Sequence, residues 1–132
     1  MAFHQCKSAR SGEEISLDNR EKAIKAACIA IDKKAVNTII LDLKGLSSIT
    51  DYFVICTGEN PVQIKAIAED IEKAFSSINM SLLGKEGLTA SRWVLMDYGD
   101  FIVHIFNKET RDYFELERLW KDAPQIDLQL AC

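Results

Sequence analysis

Asp97 and His104 are the polar pair in a stretch that is otherwise mostly apolar and aromatic up to Phe106, Arg92–Trp120 reading RWVLMDYGDFIVHIFNKETRDYFELERLW. A carboxylate beside an imidazole is the composition of a general acid–base pair. Two apolar runs, Trp93–Tyr98 and Phe101–Phe106, flank Gly99-Asp100, and a two-residue loop starting with glycine reads as a β-hairpin with a type II′ turn. That turn sets Tyr98 opposite Phe101, Asp97 opposite Ile102, Met96 opposite Val103 and Leu95 opposite His104. Asp97 and His104 then lie diagonally on one face, within reach of each other. No serine or cysteine nucleophile is placed beside them, so a structural hydrogen bond or a partner contact outweighs catalysis.

Other chemistry is weaker. Asp42 and Asp51 come from neighbouring predicted strands and, with Asp97, would be the carboxylates of a metal-dependent, nucleotidyltransferase-like enzyme. No D-x-D or H-x-x-x-H spacing supports a metal, and solvated strand-end carboxylates are the better reading. Cys56 sits in a strand with no activating neighbour and reads as a core thiol. Thr57-Gly58-Glu59-Asn60-Pro61 leads from strand to helix, but Glu59 would repel an anion at that helix end. Cys6, Cys28, Cys56 and Cys132 contain no CxxC pair. Zinc is not indicated, and a chain of 132 residues needs no disulfide framework, so reduced thiols in a cytosolic protein are expected.

The elements that must position these residues follow from periodicity and caps. Asp18 with Glu21 has capping-box spacing, and Ile24, Ala27, Cys28 and Ile31 recur at helical spacing, which predicts a helix over 19–34. Thr38–Leu43 and Asp51–Thr57 are β-branched and apolar, and their short link predicts an antiparallel pair. Asn60-Pro61 starts the clearest amphipathic helix, 61–78, with Ile64, Ile67, Ala68, Ile71, Ala74, Phe75 and Ile78 on one face. A short strand is expected at Leu82-Leu83, then a loop over 85–91. After the hairpin, Asn107 caps a helix predicted over 108–120, whose apolar stripe is Tyr113, Leu116, Leu119 and Trp120. Tyr113 and Trp120 read as core, Trp120 with room for partial exposure at the helix end. Residues 1–16 read as a disordered tail, 17–122 as one α/β domain, and 123–132 as a loose tail after Pro124.

The two hairpin faces differ. Val94, Met96, Tyr98, Phe101, Val103 and Ile105 make an apolar face that should pack on helices. Trp93, Leu95, Asp97, Ile102, His104 and Phe106 make a mixed face, which is either a recognition surface or a second core face with a satisfied polar pair. The net charge is −4 and the pI about 5.2, so independent nucleic-acid binding is not indicated. From Asp97 to Asp122 there are seven acids and four bases, a balance of −3. An acidic surface beside an apolar patch suits a basic protein partner. No apolar run approaches the ~18 residues of a membrane span, and the chain is expected in the cytoplasm.

Four stretches in order, LDLKGLSSITDYFVICTG (Leu41–Gly58), GKEG (Gly84–Gly87), WVLMDYGDFIVHIF (Trp93–Phe106) and RDYFELERLW (Arg111–Trp120), resemble the ribosomal silencing factor family, RsfS or Iojap, over about Asp18–Asp122. The resemblance implies a small α/β (α+β) domain with a mixed sheet of about five strands, distantly nucleotidyltransferase-like but without that fold's catalytic signature. It also implies a non-enzymatic factor, without cofactor or metal, that binds the fourteenth protein of the large ribosomal subunit. Such a factor sterically blocks joining to the small subunit, represses translation when nutrients are short, and is often a homodimer when free. Motifs and face reading together place Trp93, Asp97, Tyr98, Gly99, Asp100, Arg111, Tyr113 and Glu115 at or near the partner contact.

Overall fold

The computed structural model describes residues 17–129 and 131–132; the tail expected over 1–16 lies outside them. Asp18 Oδ1 accepts from the Glu21 amide (2.8 Å) while Glu21 Oε1 accepts from the Asp18 amide (3.0 Å). This reciprocal cap opens α1 (Asn19–Asp32). β1 (Val36–Asp42), β2 (Tyr52–Thr57), α2 (Pro61–Ser76), β3 (Gly84–Glu86), β4 (Trp93–Asp97), β5 (Phe101–Phe106), α3 (Lys108–Phe114) and α4 (Leu116–Leu119) follow. The sheet order is β1-β2-β5-β4-β3. β1 with β2, β3 with β4 and β4 with β5 pair antiparallel, and β2 with β5 pairs parallel. The fold is therefore a single-domain α+β arrangement on a five-stranded mixed sheet.

The central hairpin has the expected register, from Trp93 opposite Phe106 to Asp97 opposite Ile102. The Tyr98 amide donates to the Phe101 carbonyl at 3.0 Å. Gly99 has φ +89°, the sign a primed turn demands at its first central residue. With this register Val94, Met96, Tyr98, Phe101, Val103 and Ile105 all enter the main core, together with Tyr52, Val54 and Cys56 from β2. α1 lays Ala23, Ala26, Ala27, Ile29 and Ala30 on that face, and α2 adds Ile64, Ile67, Ala68, Ile71 and Phe75. Small alanines let α1 approach closely. Each large side chain fully buried there contributes on the order of 1.5–3 kcal/mol.

The opposite face has a smaller core of Leu41, Leu43, Ile55, Phe106, Leu116 and Ala123, with Ile39, Phe53, Trp93 and Trp120 packed at its margin. Its cover comes from α3, α4 and the turn after them, so this side of the sheet is roofed over only part of its area.

Four expectations are corrected by tertiary contacts. Strand β3 falls at Gly84–Glu86 rather than Leu82-Leu83, because its ladder with β4 begins where the Leu83 amide donates to the Asp97 carbonyl (2.8 Å) and runs on past Gly84. The helix expected over 108–120 breaks at Glu115, which is left-handed (φ 47°, ψ 55°). The break turns Leu116 into the second core and leaves Tyr113 and Leu119 exposed. Residues 123–126 are not loose: the Asp42 amide donates to the Pro124 carbonyl (2.8 Å) and the Ile126 amide to the Ile40 carbonyl (3.0 Å). Beyond them Cys132 is disulfide-bonded to Cys28 of α1, with Cα atoms 5.6 Å apart, where reduced thiols were expected. Proximity across the fold makes that pair, and spacing in sequence does not reveal it.

Gly87 controls how the loop after β3 presses on β4. It has φ +87°, and a Cβ added there would lie 1.9 Å from the Trp93 carbonyl oxygen. Backbone cannot retreat as a side chain does. Gly87→Ala is expected to lower the unfolding free energy by at least about 2 kcal/mol in urea titration. Gly84→Ala, where an added Cβ meets nothing within 4 Å, is expected to stay within about 0.5 kcal/mol.

Candidate functional site

The half-covered face of the sheet carries the chain's mixed chemistry. β5 supplies His104, β4 supplies Trp93 and Leu95, and β2 supplies Phe53 by its parallel register, Phe53 beside Ile102 and Ile55 beside His104. Trp93 Nε1 donates to His104 Nδ1 at 3.0 Å. Phe53 meets the imidazole edge-on at 4.5 Å between ring centres, and Trp120 meets Phe53 edge-on at 6.0 Å. Phe114, at the end of α3, packs at a tilt against Trp93, 4.9 Å between ring centres, and Tyr113 stands edge-on to Phe114 at 5.0 Å. Trp93, Leu95, Phe53 and Trp120 are half-buried. Phe114 is 47 % exposed, Leu119 74 % and Tyr113 80 %. Aromatic surface of this kind, anchored from behind and open in front, is what a protein interface uses for its energetic centre.

The acid–base pair is not made. His104 gives its Nδ1 to Trp93, while Asp97 Oδ1 accepts from the Gly99 amide (2.8 Å) and shapes the turn. Burial pushes the His104 imidazole down to about 4, so the ring is neutral at physiological pH. With Nδ1 accepting, the proton sits on Nε2, which is buried with no hydrogen-bond partner among the described residues. A proton donor sealed in this way cannot exchange readily with a substrate. Cys56 points into the main core, where burial pushes its thiol up to about 12, and it is no nucleophile. The remaining carboxylates considered for metal chemistry are engaged locally. Asp42 Oδ1 accepts from the Lys44 amide (3.0 Å) and Asp51 Oδ2 from Asn19 Nδ2 (3.1 Å). Among the described residues no three His, Cys, Asp or Glu side chains are grouped to hold a metal ion.

The residues expected at the contact separate into three groups. Trp93 and Tyr113 lie on the aromatic face, with Glu115 at its rim, where its carboxylate pairs with Arg118 (3.2 Å). Asp97, Gly99 and Asp100 lie at the far end of β4, on the turn, where Asp100 is exposed and 4.0 Å from Lys22. Tyr98 and Arg111 point inward. Tyr98 is 5 % exposed and stacks on Phe101 at 4.9 Å. Arg111 is buried, with Nη1 donating to the Asn37 carbonyl (2.7 Å) and Thr57 Oγ1 (2.8 Å) and Nε and Nη2 donating to Glu117 Oε2 (3.0 and 2.8 Å). It ties α3 and α4 to the ends of β1 and β2, and so holds Tyr113 and Phe114 in place. The open cleft of about 1000 Å³ beside it is lined by Glu59, Lys108, Asp112, Glu117 and Arg118 among others. Its mixed charge does not select an anion.

Phe53, Phe114 and Leu119 are additions that sequence reasoning missed as site residues. Strand alternation separates Phe53 from Tyr52 and Val54. Only the parallel pairing of β2 with β5, a contact between distant segments, shows that Phe53 shares a face with Trp93. Phe114 is placed by the break at Glu115.

The family described as "Ribosomal silencing factor during starvation" matches residues 16–131. The protein of Bacillus subtilis called ribosomal silencing factor RsfS is 41 % identical over 114 residues, covering 86 % of this chain and 97 % of the relative. Its namesake in Halalkalibacterium halodurans is 40 % identical over 113 residues, with the same 86 % and 97 % coverage. A crystal structure of a Chromobacterium violaceum protein superposes with a TM-score of 0.77 at 30 % identity, covering 80 % of this chain and 88 % of that one.

The buried imidazole gives the site a pH signature. The folded pKa of His104, about 4, lies below its ordinary 6.5, so the native state binds fewer protons than the unfolded chain. The stability tied to a neutral His104 is complete above about pH 6.5 and is lost as pH falls through 4. The loss amounts to about 3 kcal/mol. In urea unfolding at pH 7 and pH 4, the drop for His104→Phe is expected to be smaller than that of the parent chain by this amount. Equal drops would show that the imidazole is not sealed in the folded state.

Proposed function

Because this chain belongs to the ribosomal silencing factor (RsfS) family, we propose that it acts as a steric regulator of the ribosome. It binds the large subunit through that subunit's fourteenth protein, keeps the small subunit from joining, and represses translation under nutrient limitation in the cytoplasm. It transforms no substrate, needs no cofactor, and pairs as a homodimer when free. The observation that carries this reading is the aromatic face around Trp93, Phe53 and Phe114, fixed on the sheet and left open by the helices. A blocking factor needs a rigid surface that occupies space. An exposed patch rimmed by polar residues marks an interaction site. The excess of acids from Asp97 to Asp122 favours a basic ribosomal protein, whose approach it would accelerate.

The test is reconstitution. Purified protein is incubated with isolated large subunits, small subunits are added, and the mixture is sedimented through a gradient. The protein is expected in the large-subunit fraction, with the yield of joined ribosomes falling as its concentration rises. Undiminished joining at saturating protein would overturn the proposal. Tyr113→Ala with Leu119→Ala removes exposed apolar area and is expected to weaken large-subunit binding by tenfold or more, since interface anchors are worth on the order of 1 kcal/mol or more each. Asp100→Lys separates the two ends of β4. A loss of binding in that variant alone would move the contact to the hairpin turn.

A further inference from the structure

The segment from Ala123 to Leu128 passes over an edge of the sheet and touches both of its faces. Ala123 packs in the smaller core with Leu41, Leu43 and Leu116. Pro124 to Ile126 then follow the free edge of β1, through the Asp42-to-Pro124 and Ile126-to-Ile40 hydrogen bonds and a bridge between Leu41 and Gln125. Ile126 enters the main core on the other face and Leu128 packs against it. The last described link is the Cys28–Cys132 disulfide, which joins positions 104 residues apart. Without that bond the strap is held by a few hydrogen bonds and two buried side chains, Ala123 and Ile126, with Leu128 partly buried beside the main core. Most of the side chains in the two cores come from the sheet and the helices.

The two cysteines differ in exposure. Cys28 is 7 % exposed on α1, whereas Cys132 is exposed at the surface. Cys56, the free cysteine among the described residues, is wholly buried. A small thiol or disulfide in solution can therefore reach this pair through Cys132.

We propose that Cys28 and Cys132 form a reversible thiol–disulfide site that takes low-molecular-weight disulfides and thiols, and that its oxidation locks the 123–128 strap over the β1 edge. In the oxidising direction the Cys132 thiolate attacks one sulfur of a small disulfide RSSR, forming a mixed disulfide and releasing RS⁻. The Cys28 thiolate then attacks the Cys132 sulfur, closing the internal bond and releasing the second RS⁻. Two electrons pass from the protein pair to RSSR, and the two thiol protons end on the released thiols or in solvent. A small thiol in excess runs the sequence backwards. In the dithiol form the strap is tethered only by its weak contacts, and the polar groups of the β1 edge become open to water and to other strands. This inference is independent of the ribosomal role.

The experiment uses the whole chain, poised with glutathione disulfide or with dithiothreitol. Intact mass under non-reducing conditions reads the bond as a loss of two hydrogens. Amide hydrogen exchange reads the strap. The Asp42 and Ile126 amides are expected to exchange at least about tenfold more slowly in the oxidised form, as for a segment whose local opening is suppressed. Amides inside α2 are expected to be unaffected. Cys132→Ser should match the dithiol form under both conditions, and it tests the idea without disturbing α1. Three outcomes would overturn the proposal: equal exchange of those amides in the two states, a stable glutathione adduct or cross-linked dimer in place of the internal bond, or an oxidation response preserved in Cys132→Ser.

Discussion

A single-residue slip of β4 on β5 would exchange the two faces of the sheet, and the two-residue turn at Gly99-Asp100 is what forbids it. With the observed register, six consecutive inward positions, from Val94 to Ile105 around the turn, meet the helices. Trp93, Leu95 and His104 are thereby committed to the other side. Everything proposed for this protein's surface depends on that division. The glycine at the turn is the local element that sets it, and the burial of two helices against one face is the energy that enforces it.

Covering a five-stranded sheet on both sides takes more helix than this chain has. α1 and α2 are both spent on one face, and the short α3 and α4 cover only part of the other. The half-open face is stiffened from beneath. Trp93 is held by its hydrogen bond to a neutral, buried His104, and Phe53 closes over the same imidazole. Arg111 plays the corresponding part for α3 and α4, its guanidinium shared between Glu117, Thr57 and a backbone carbonyl. Hydrogen bonds between buried groups of this kind contribute little net stability, but they fix geometry, since breaking one leaves both of its partners unpaired. The surface is thus preorganised, which limits the entropy lost when a partner binds.

The two sheet edges are treated differently. β3 ends one side with a three-residue strand, and brevity alone limits pairing with another chain. β1 is longer, and the strap from Ala123 onward supplies the cover. The strap crosses between the two cores and so joins the half-open face to α1 on the opposite side.

Much of this architecture is written locally. The Asp18 cap, the Asn60-Pro61 start of α2, the antiparallel pairing of β1 with β2 and the whole register of the central hairpin follow from spacing, turn chemistry and side-chain alternation, which act over a few residues. The motifs from Leu41 to Trp120 likewise sufficed to suggest the family before any contact was known. What the sequence could not determine is what depends on distant segments meeting. The parallel pairing of β2 with β5 places Phe53 beside Trp93, and the buried anchor of Arg111 accompanies the break at Glu115 that exposes Tyr113 and Leu119. Packing withdraws Tyr98 into the core, while proximity joins Cys132 to Cys28. Periodicity states which side of an element is apolar. Only the competition among elements for a limited helical cover decides which apolar side remains open, and that competition is tertiary.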